Sequence, residues 1–404
     1  MVMKQTQTKL FDFSDAGLDF CAGSQNLFPD RFKKMLALGY NEQTVSSVTV
    51  AGNQVTFTYG GAHDYVADRV LKVDSGPLAS INGGEFWIDS VTTNTITMTI
   101  DDAPISVAGG FTTKIASLGW SLEYENANIH VYGFKALDES GLYLRLCFQN
   151  QAERRNCISP SIGKSFDPVT GYITDQNALT ANMEISSPGT GFKWEFGFWN
   201  NTTYNNYTYS QGYSQYGKGC VVGSKYHLIF LFNALNNQPR VNGFVPVFTH
   251  GYDQLNYPVM FGETFGNITD KGSNYMGMNS RAYIGEIRVI FSLDSNNNGG
   301  SVFRMPQASQ SFLSSNIDSF NTTTCAPIQV YEQATLQHIG VVAGGLYSAM
   351  YASTNRPSTA NGAQPSTTKD IDLHSNVVVH YTSAGSNETT FSFVAVPIEE
   401  IKIA

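Results

Sequence analysis

Charge is scarce in this chain: only 14% of its 404 residues are Asp, Glu, Lys or Arg, against roughly a quarter in ordinary soluble proteins. The 24 basic residues are scattered and outnumbered by 33 acids, giving a net charge of −9. No basic stripe exists to grip a phosphate backbone, so direct nucleic-acid binding is not expected. No apolar run approaches the eighteen or more residues of a spanning helix, and the first residues, Met1 to Leu10, lack a signal-peptide core. Membrane insertion is therefore not expected, and synthesis in a cytosol is. Cysteine is also sparse: Cys21, Cys147, Cys157, Cys220 and Cys325 are odd in number and widely spread, with no CxxC pair. Reduced structural thiols fit that spacing better than a disulfide framework or a zinc site.

The familiar catalytic signatures are missing as well. The histidines His63, His130, His227, His250, His338, His374 and His380 stand singly, without HExxH or HxH spacing. No GxSxG elbow, phosphate loop or GxGxxG turn is present. Asp294-Ser295-Asn296-Asn297-Asn298-Gly299 opens like a calcium loop, but Met305 stands where the closing acid belongs, so an Asn-rich turn is the better reading. No metal or cofactor is expected. Five Asn-x-Ser/Thr sequons, beginning at Asn201, Asn206, Asn267, Asn321 and Asn387, read as by-products of an Asn/Thr-rich composition. Paired carboxylates for glycosidic cleavage carry no sequence spacing; Glu195 and Glu263 lie near aromatic stretches. No fixed-period repeat appears, which argues against a solenoid or β-helix shaft.

What the chain has in abundance is alternation. Between Val45 and Ile100, short segments switch between apolar and polar residues with the period of half-buried strands: Ser47 to Val50, Gln54 to Tyr59, Arg69 to Val73, Glu85 to Val91 and Thr95 to Ile100. Ala51-Gly52-Asn53 supplies a hairpin turn between the first two. Ahead of this module, Asp30 to Leu38 predicts a short helix: Phe32, Met35, Leu36 and Leu38 follow helical spacing, Asp30 is placed to cap it and Gly39 to end it. After a Pro/Gly-containing connection from Ala103 to Gly110, strands resume at Phe111 to Ile115, then at Asn128 to Phe134 and Gly141 to Phe148, which are apolar enough for central strands of a larger sandwich. Further strands are predicted at Tyr226 to Asn233, Gly243 to Phe248, Tyr283 to Phe291, Gln337 to Val342, Asn376 to Tyr381 and Thr390 to Val396, with a long loop from Ser353 to Asp370. His227 reads as a core or edge histidine.

The fold expectation is all-β: a larger antiparallel β-sandwich body with a small β-barrel-like module and a short N-terminal helix. The expected division is an arm and helix over 1–45, the module over 46–117, the body over 118–330 and a C-terminal β-rich portion over 331–404. From Phe192 to Tyr216 the chain is dense in aromatics and amides, including Trp194, Trp199, Tyr204, Tyr207, Tyr209 and Tyr213. Such density suits strand core plus a subunit interface, or the holding of sugar rings.

The module's residues also carry a resemblance. Val48-Thr49-Val50, Asn53 to Phe57, Ala62-His63-Asp64-Tyr65, Ile81 to Phe86 and Val91 to Thr97 resemble a small β-module that recurs in tailed-bacteriophage virion proteins, with its opening hairpin, Ala-His-Gly-Tyr-like corner, Asn-Gly turn and closing Thr-rich strand. Asp64 departs from the Gly common at that corner, which bears on the corner's backbone shape. Arg31 to Tyr40 upstream, and Gly119 to Leu122, Tyr143 to Leu146, Gly345-Leu346-Tyr347 and Arg356-Pro357 downstream, resemble a longer family of such proteins. The resemblance implies a non-enzymatic particle component of the tail, baseplate or tail tip, made in the host bacterial cytoplasm, homo-oligomeric and in contact with other virion proteins. Its alternatives are a host-surface glycan-binding protein and a polysaccharide depolymerase.

Overall fold

The computed structural model describes residues 8–74, 81–151, 154–189, 191–197, 208–211, 218–233, 239–264, 279–291, 324–351, 356–360, 363–370, 373–383 and 391–398. It is all-β, with 49% strand and 8% helix, and the described residues carry a single short N-terminal α-helix. Among them, four antiparallel sheets make up the architecture.

Two of them form the sandwich. The five-stranded sheet runs in the order Trp194–Gly197, Asn156–Gly163, Gly141–Phe148, Ile129–Lys135, Ser121–Asn126, so Gly141–Phe148 is its central strand. The ten-stranded sheet begins Lys9–Asp12, Gly219–Gly223, Leu228–Asn233, Pro239–Val245, Val259–Thr264 and continues through Asn279–Ile284, Ile287–Ile290, Gln329–Glu332 and His338–Val342 to Val247–Thr249. Its last strand in space follows its fourth in sequence after the single residue Pro246. That short link obliges the sheet to roll, bringing its far edge back beside its middle.

Between these sheets lies an aromatic core. Phe196 stacks on Phe232 at 5.0 Å, Trp194 meets Phe230 at 5.4 Å, and Trp120 and Phe134 close on Phe244 at 5.9 and 5.0 Å. Every residue of Leu228–Asn233 is buried, because the strand is covered on both faces. The second cover is the C-terminal sheet, ordered Thr324–Pro327, Tyr347–Met350, Phe391–Pro397, Ser375–Ser383, Ser366–Asp370. His380 Nε2 donates to the carbonyl of Phe232 across that contact at 3.0 Å.

The helix plugs the sandwich. It spans Phe28–Lys33 and continues as a wider π-turn over Lys34–Leu38. Phe32 touches Phe148 of one sheet at 5.3 Å and Phe230 of the other at 5.4 Å, while Phe28 meets Phe196 at 4.8 Å. Burial of each such ring is worth about 1.5–3 kcal/mol, which is what lets so short a helix persist. Its start differs from the expectation: Leu27 occupies the N-cap position, Pro29 sits in the first turn, and Asp30 lies inside the helix, where it pairs with Arg31 and Lys34. Proline needs no amide partner in a first turn and so moves the start upstream. Gly39 ends the helix as expected, at φ +77, where a Cβ would collide with the Ile115 carbonyl.

The seven-stranded sheet contains the strands of the module, in the order Glu85–Trp87, Val70–Asp74, Thr112–Ile115, Tyr40–Ala51, Gln54–Tyr59, Thr95–Thr99, Ser90–Val91. Tyr40–Ala51 pairs with Thr112–Ile115 along its first part and with Gln54–Tyr59 along the rest, with register shifts between Tyr40 and Gln43 and between Val45 and Ser47. These irregularities bend the strand, and the sheet curls into a half-barrel. The Asp89 amide donates to the Thr97 carbonyl at 2.9 Å across the curl.

Three expected elements are corrected. Tyr283 to Phe291 is a hairpin and not one strand: Asn279–Ile284 turns back into Ile287–Ile290, with Gly285 at φ +54 supplying the left-handed turn. The end of the expected loop from Ser353 is an edge strand, Ser366–Asp370, paired with Ser375–Ser383. Glu85 to Val91 is likewise split into Glu85–Trp87 and Ser90–Val91. The Asn-rich turn at Asp294 lies outside the described residues.

Candidate functional site

His63, Tyr65 and Thr95, three of the residues on which the resemblance rests, meet at one corner of the module. His63 is buried; its ring stacks on Tyr65 at 5.2 Å and leans on Tyr59 at 4.9 Å. The Tyr65 amide donates to His63 Nδ1 at 2.9 Å, and His63 Nε2 lies 3.1 Å from the Thr95 carbonyl, so Nε2 carries the proton and donates. Tyr65 OH reaches the carbonyls of Asn41 and Thr113 at 2.8 and 2.9 Å. Asp64 between them adopts φ +58, the left-handed conformation that Asp tolerates better than most residues. The polar groups of His63 and Tyr65 are turned inward and serve as framework, while Asp64 between them is exposed.

A second buried constellation fastens the N-terminal arm to the module. Arg69 Nε and Nη2 donate to the two Asp15 oxygens at 2.8 and 2.9 Å, and Tyr40 OH donates to Asp15 at 2.8 Å. Burial opposes the Arg69 charge, but the facing carboxylate outweighs it and holds the pKa above the usual guanidinium value.

Of the six aromatic positions singled out in sequence, Trp199, Tyr204, Tyr207 and Tyr213 lie outside the described residues. Trp194 is fully buried, and its Nε1 donates to the Phe261 carbonyl at 3.0 Å. It is a core residue with no face to offer a sugar. Tyr209 is half-buried in a 3₁₀ turn, Tyr209–Gln211, and packs against the hydrophobic core. That turn is tied to the arm by Ser210, whose amide and hydroxyl donate to Asp19 at 2.8 and 2.7 Å.

Glu195, a carboxylate noted in sequence, is 1% exposed and accepts from Arg155 Nη2 at 3.3 Å. The side chain of Glu263 is outside what the structure describes. Among the described residues no group of three His, Cys, Asp or Glu is placed to hold a metal ion, and no helix is long and apolar enough to cross a membrane. Four of the five cysteines are buried, Cys325 is half-buried, and none forms a disulfide; burial pushes the Cys147 thiol up to about 11, well away from a reactive thiolate. His227 is a core histidine, as read: it is fully buried with Nδ1 2.7 Å from Ser224 Oγ, and burial pushes its pKa down to about 4.

What the sequence did not reveal is a cleft of about 300 Å³ where the rolled edge of the ten-stranded sheet faces the turn between Ile129–Lys135 and Gly141–Phe148. Its floor is Phe134 and Leu142; its outer wall is Phe248 to Asp253, including Tyr252, which is 66% exposed. The walls are pinned. Tyr226 OH donates to Glu139 on one side, and Tyr257 OH donates to Asp175 at 2.8 Å on the other. The signal available in sequence was the stretch Thr249 to Asn256, which clusters His, Gly, Tyr, Asp and Asn between two apolar runs, as a functional loop does.

No family model matches the chain, and no curated protein matches it. Among solved structures, the chain is similar to the Phage phi92 endosialidase with a TM-score of 0.16 and 8% identity, over 90% of this chain and 52% of that one. A likeness that slight carries no argument about fold or activity.

Proposed function

We propose that this chain is a structural component of a tailed-phage particle, in the tail, baseplate or tail tip, made in the bacterial cytoplasm and working through contacts between subunits. It holds position and catalyses nothing. The observation that supports this reading best is the His63-Asp64-Tyr65 corner: His63 and Tyr65, two of the residues that resemble a virion module, are hydrogen-bonded into one buried framework, and the Asp that departs from the pattern takes up the left-handed backbone that glycine adopts readily. The charge-poor composition agrees with it, since burial of Tyr-, Asn- and Ser-rich surface against neighbours carries little desolvation cost. Symmetric copies are the usual form of such assemblies.

The test is assembly. Light scattering on the purified chain is expected to give a defined oligomer, or a complex when co-expressed with neighbouring particle proteins, and antibodies against the chain are expected to decorate intact particles in electron micrographs. A monomer that is absent from particles ends the proposal.

A further inference from the structure

The cleft beside the rolled edge has two walls of different origin: the hairpin turn carrying Ala136 to Asp138, and the segment Thr249 to Asp253 with Asn256. We propose that it binds a small alkylated ammonium ion of the choline type, independently of the subunit contacts proposed above.

Size and lining come first. About 300 Å³ lies at the lower end of small-molecule pockets, so the fit is to a compact head group. The lining calls for an apolar body: Phe134, Leu142, Pro246 and Phe248 supply carbon, and Tyr226 and Tyr252 supply further rings. Aromatic faces also attract cations. Tyr252, 66% exposed, presents the most open of these rings.

Charge then separates a cation from a neutral or acidic ligand. Asp138 on one wall and Asp253 on the other are the carboxylates of the cleft. Asp138 accepts from the Ser140 hydroxyl and amide at 2.6 and 3.0 Å, which hold its carboxyl below the usual pKa and keep it ionised at neutral pH. Lys135 borders the cleft, but alternation along Ile129–Lys135 turns its side chain to the face opposite Phe134, where Nζ donates to the Glu139 carbonyl at 3.2 Å. Lys164, which lies over the Tyr257 ring at 4.8 Å, does not line the cleft. An anion is therefore repelled, whereas a cation with an apolar shell suits both the carboxylates and the rings. A bare metal ion finds too few oxygens among these walls.

The cleft is formed in advance. Tyr226 and Tyr257 are pinned as described. Thr249 Oγ1 donates to the Leu255 carbonyl at 3.1 Å and the Leu255 amide to the Tyr252 carbonyl at 2.9 Å, while the Ala136 amide donates to the Ser140 carbonyl at 3.0 Å. Little ordering cost remains on binding.

The experiment is a ligand-detected NMR titration of the full chain with choline and with dimethylbutanol, its uncharged carbon isostere. Choline is expected to bind about tenfold or more tighter than the isostere. Asp253→Asn is expected to weaken choline about threefold or more and leave the isostere unchanged, and Tyr252→Ala to weaken choline to a similar extent. Both variants are expected to melt with the parent, since both positions are exposed. Val169→Ala, at an exposed site outside the cleft, is expected to bind like the parent. Vesicles of phosphatidylcholine carry the same group: co-sedimentation with them makes a lipid the source of the cation, and choline binding without it makes the source a free or polymer-borne group. No saturable choline binding, equal affinity for the isostere, or parental choline affinity in both cleft variants would each overturn the proposal.

Discussion

The module and the body are both antiparallel β, yet they are held together in opposite ways. In the module, Gln54–Tyr59 and Thr95–Thr99 bury alternate residues only, so each strand has one face in a core and one towards solvent. In the body, Leu228–Asn233 and Pro239–Val245 are buried at every position, covered by the five-stranded sheet on one side and the C-terminal sheet on the other. A one-sided sheet depends on its polar corner for shape and leaves a face free. A two-sided sheet gets both shape and stability from packing and leaves no such face. Changes of equal chemical size are therefore expected to cost more in the body.

The sharpest way to break that comparison is to remove the ring shared by the sandwich sheets. Phe32→Ala deletes a fully buried side chain that touches Phe28, Phe148, Phe196 and Phe230. Its expected cost is about 3–5 kcal/mol, read as a lowered urea midpoint with the slope unchanged. A cost below that of Tyr65→Phe in the module would reverse the ranking of the two regions.

Acid separates the regions next. His130 and His227 lie in the body and His380 in the sheet that covers it, and burial pushes each pKa down to about 4. A histidine lowered in the folded state contributes stability that is complete above its unfolded pKa near 6.5 and is lost as pH falls towards the folded value. Between pH 6.5 and about 4 the three together are expected to remove on the order of several kcal/mol. In a Trp87→Phe background, which removes the module's tryptophan, the near-UV signal of Trp120 and Trp194 in the sandwich should collapse within this window. Stability that is flat down to pH 4.5 contradicts the burial of these rings.

A smaller effect is expected at the module's corner. Tyr65→Phe removes the hydroxyl whose single proton is shared between the Asn41 and Thr113 carbonyls and leaves that buried site one donor short. The expected loss is about 1–3 kcal/mol, with the sandwich core unaffected. Hydrogen exchange distinguishes the two: amides of Gln54–Tyr59 should lose protection, while those of Leu228–Asn233 keep theirs.

How much of this was legible in the chain follows the same division. Gln54–Tyr59 and Gly141–Phe148 fall on the residues the pattern indicates, because a strand bounded by turn residues needs nothing distant to define it. The Tyr283 to Phe291 hairpin was hidden because its turn, Gly285-Glu286, lies between apolar residues and reads as alternation. Arg145 and Arg240 are fully buried, and nothing local announces it: Arg145 donates to the Gly171 and Ile185 carbonyls, which come from a distant loop. The cleft was illegible for the same reason, since long-range pairing alone brings 134–142 beside 246–258. Aromatic density drew attention to Phe192 through Tyr216, where Trp194 turned out to be core; density in sequence does not distinguish a buried ring from a presented one.

Asp64 offers the finest test, because there sequence and backbone meet at one residue. At φ +58 an ordinary L-residue carries a penalty of about 1–2 kcal/mol, of which Asp escapes a part. Asp64→Gly removes that strain but adds freedom to the unfolded chain worth about 0.4–1 kcal/mol, so the two effects nearly cancel and stability is expected to change by about 0.5 kcal/mol or less. Asp64→Val keeps the restricted unfolded chain and takes the full penalty in the fold, and is expected to lose about 1–2 kcal/mol. A parental melting temperature for both variants means that the corner tolerates another backbone, and the link from the His63 framework to a virion module loses its structural support. Loss in the valine variant alone fixes the left-handed conformation as the requirement, and Asp as one of the few residues able to stand in for glycine there.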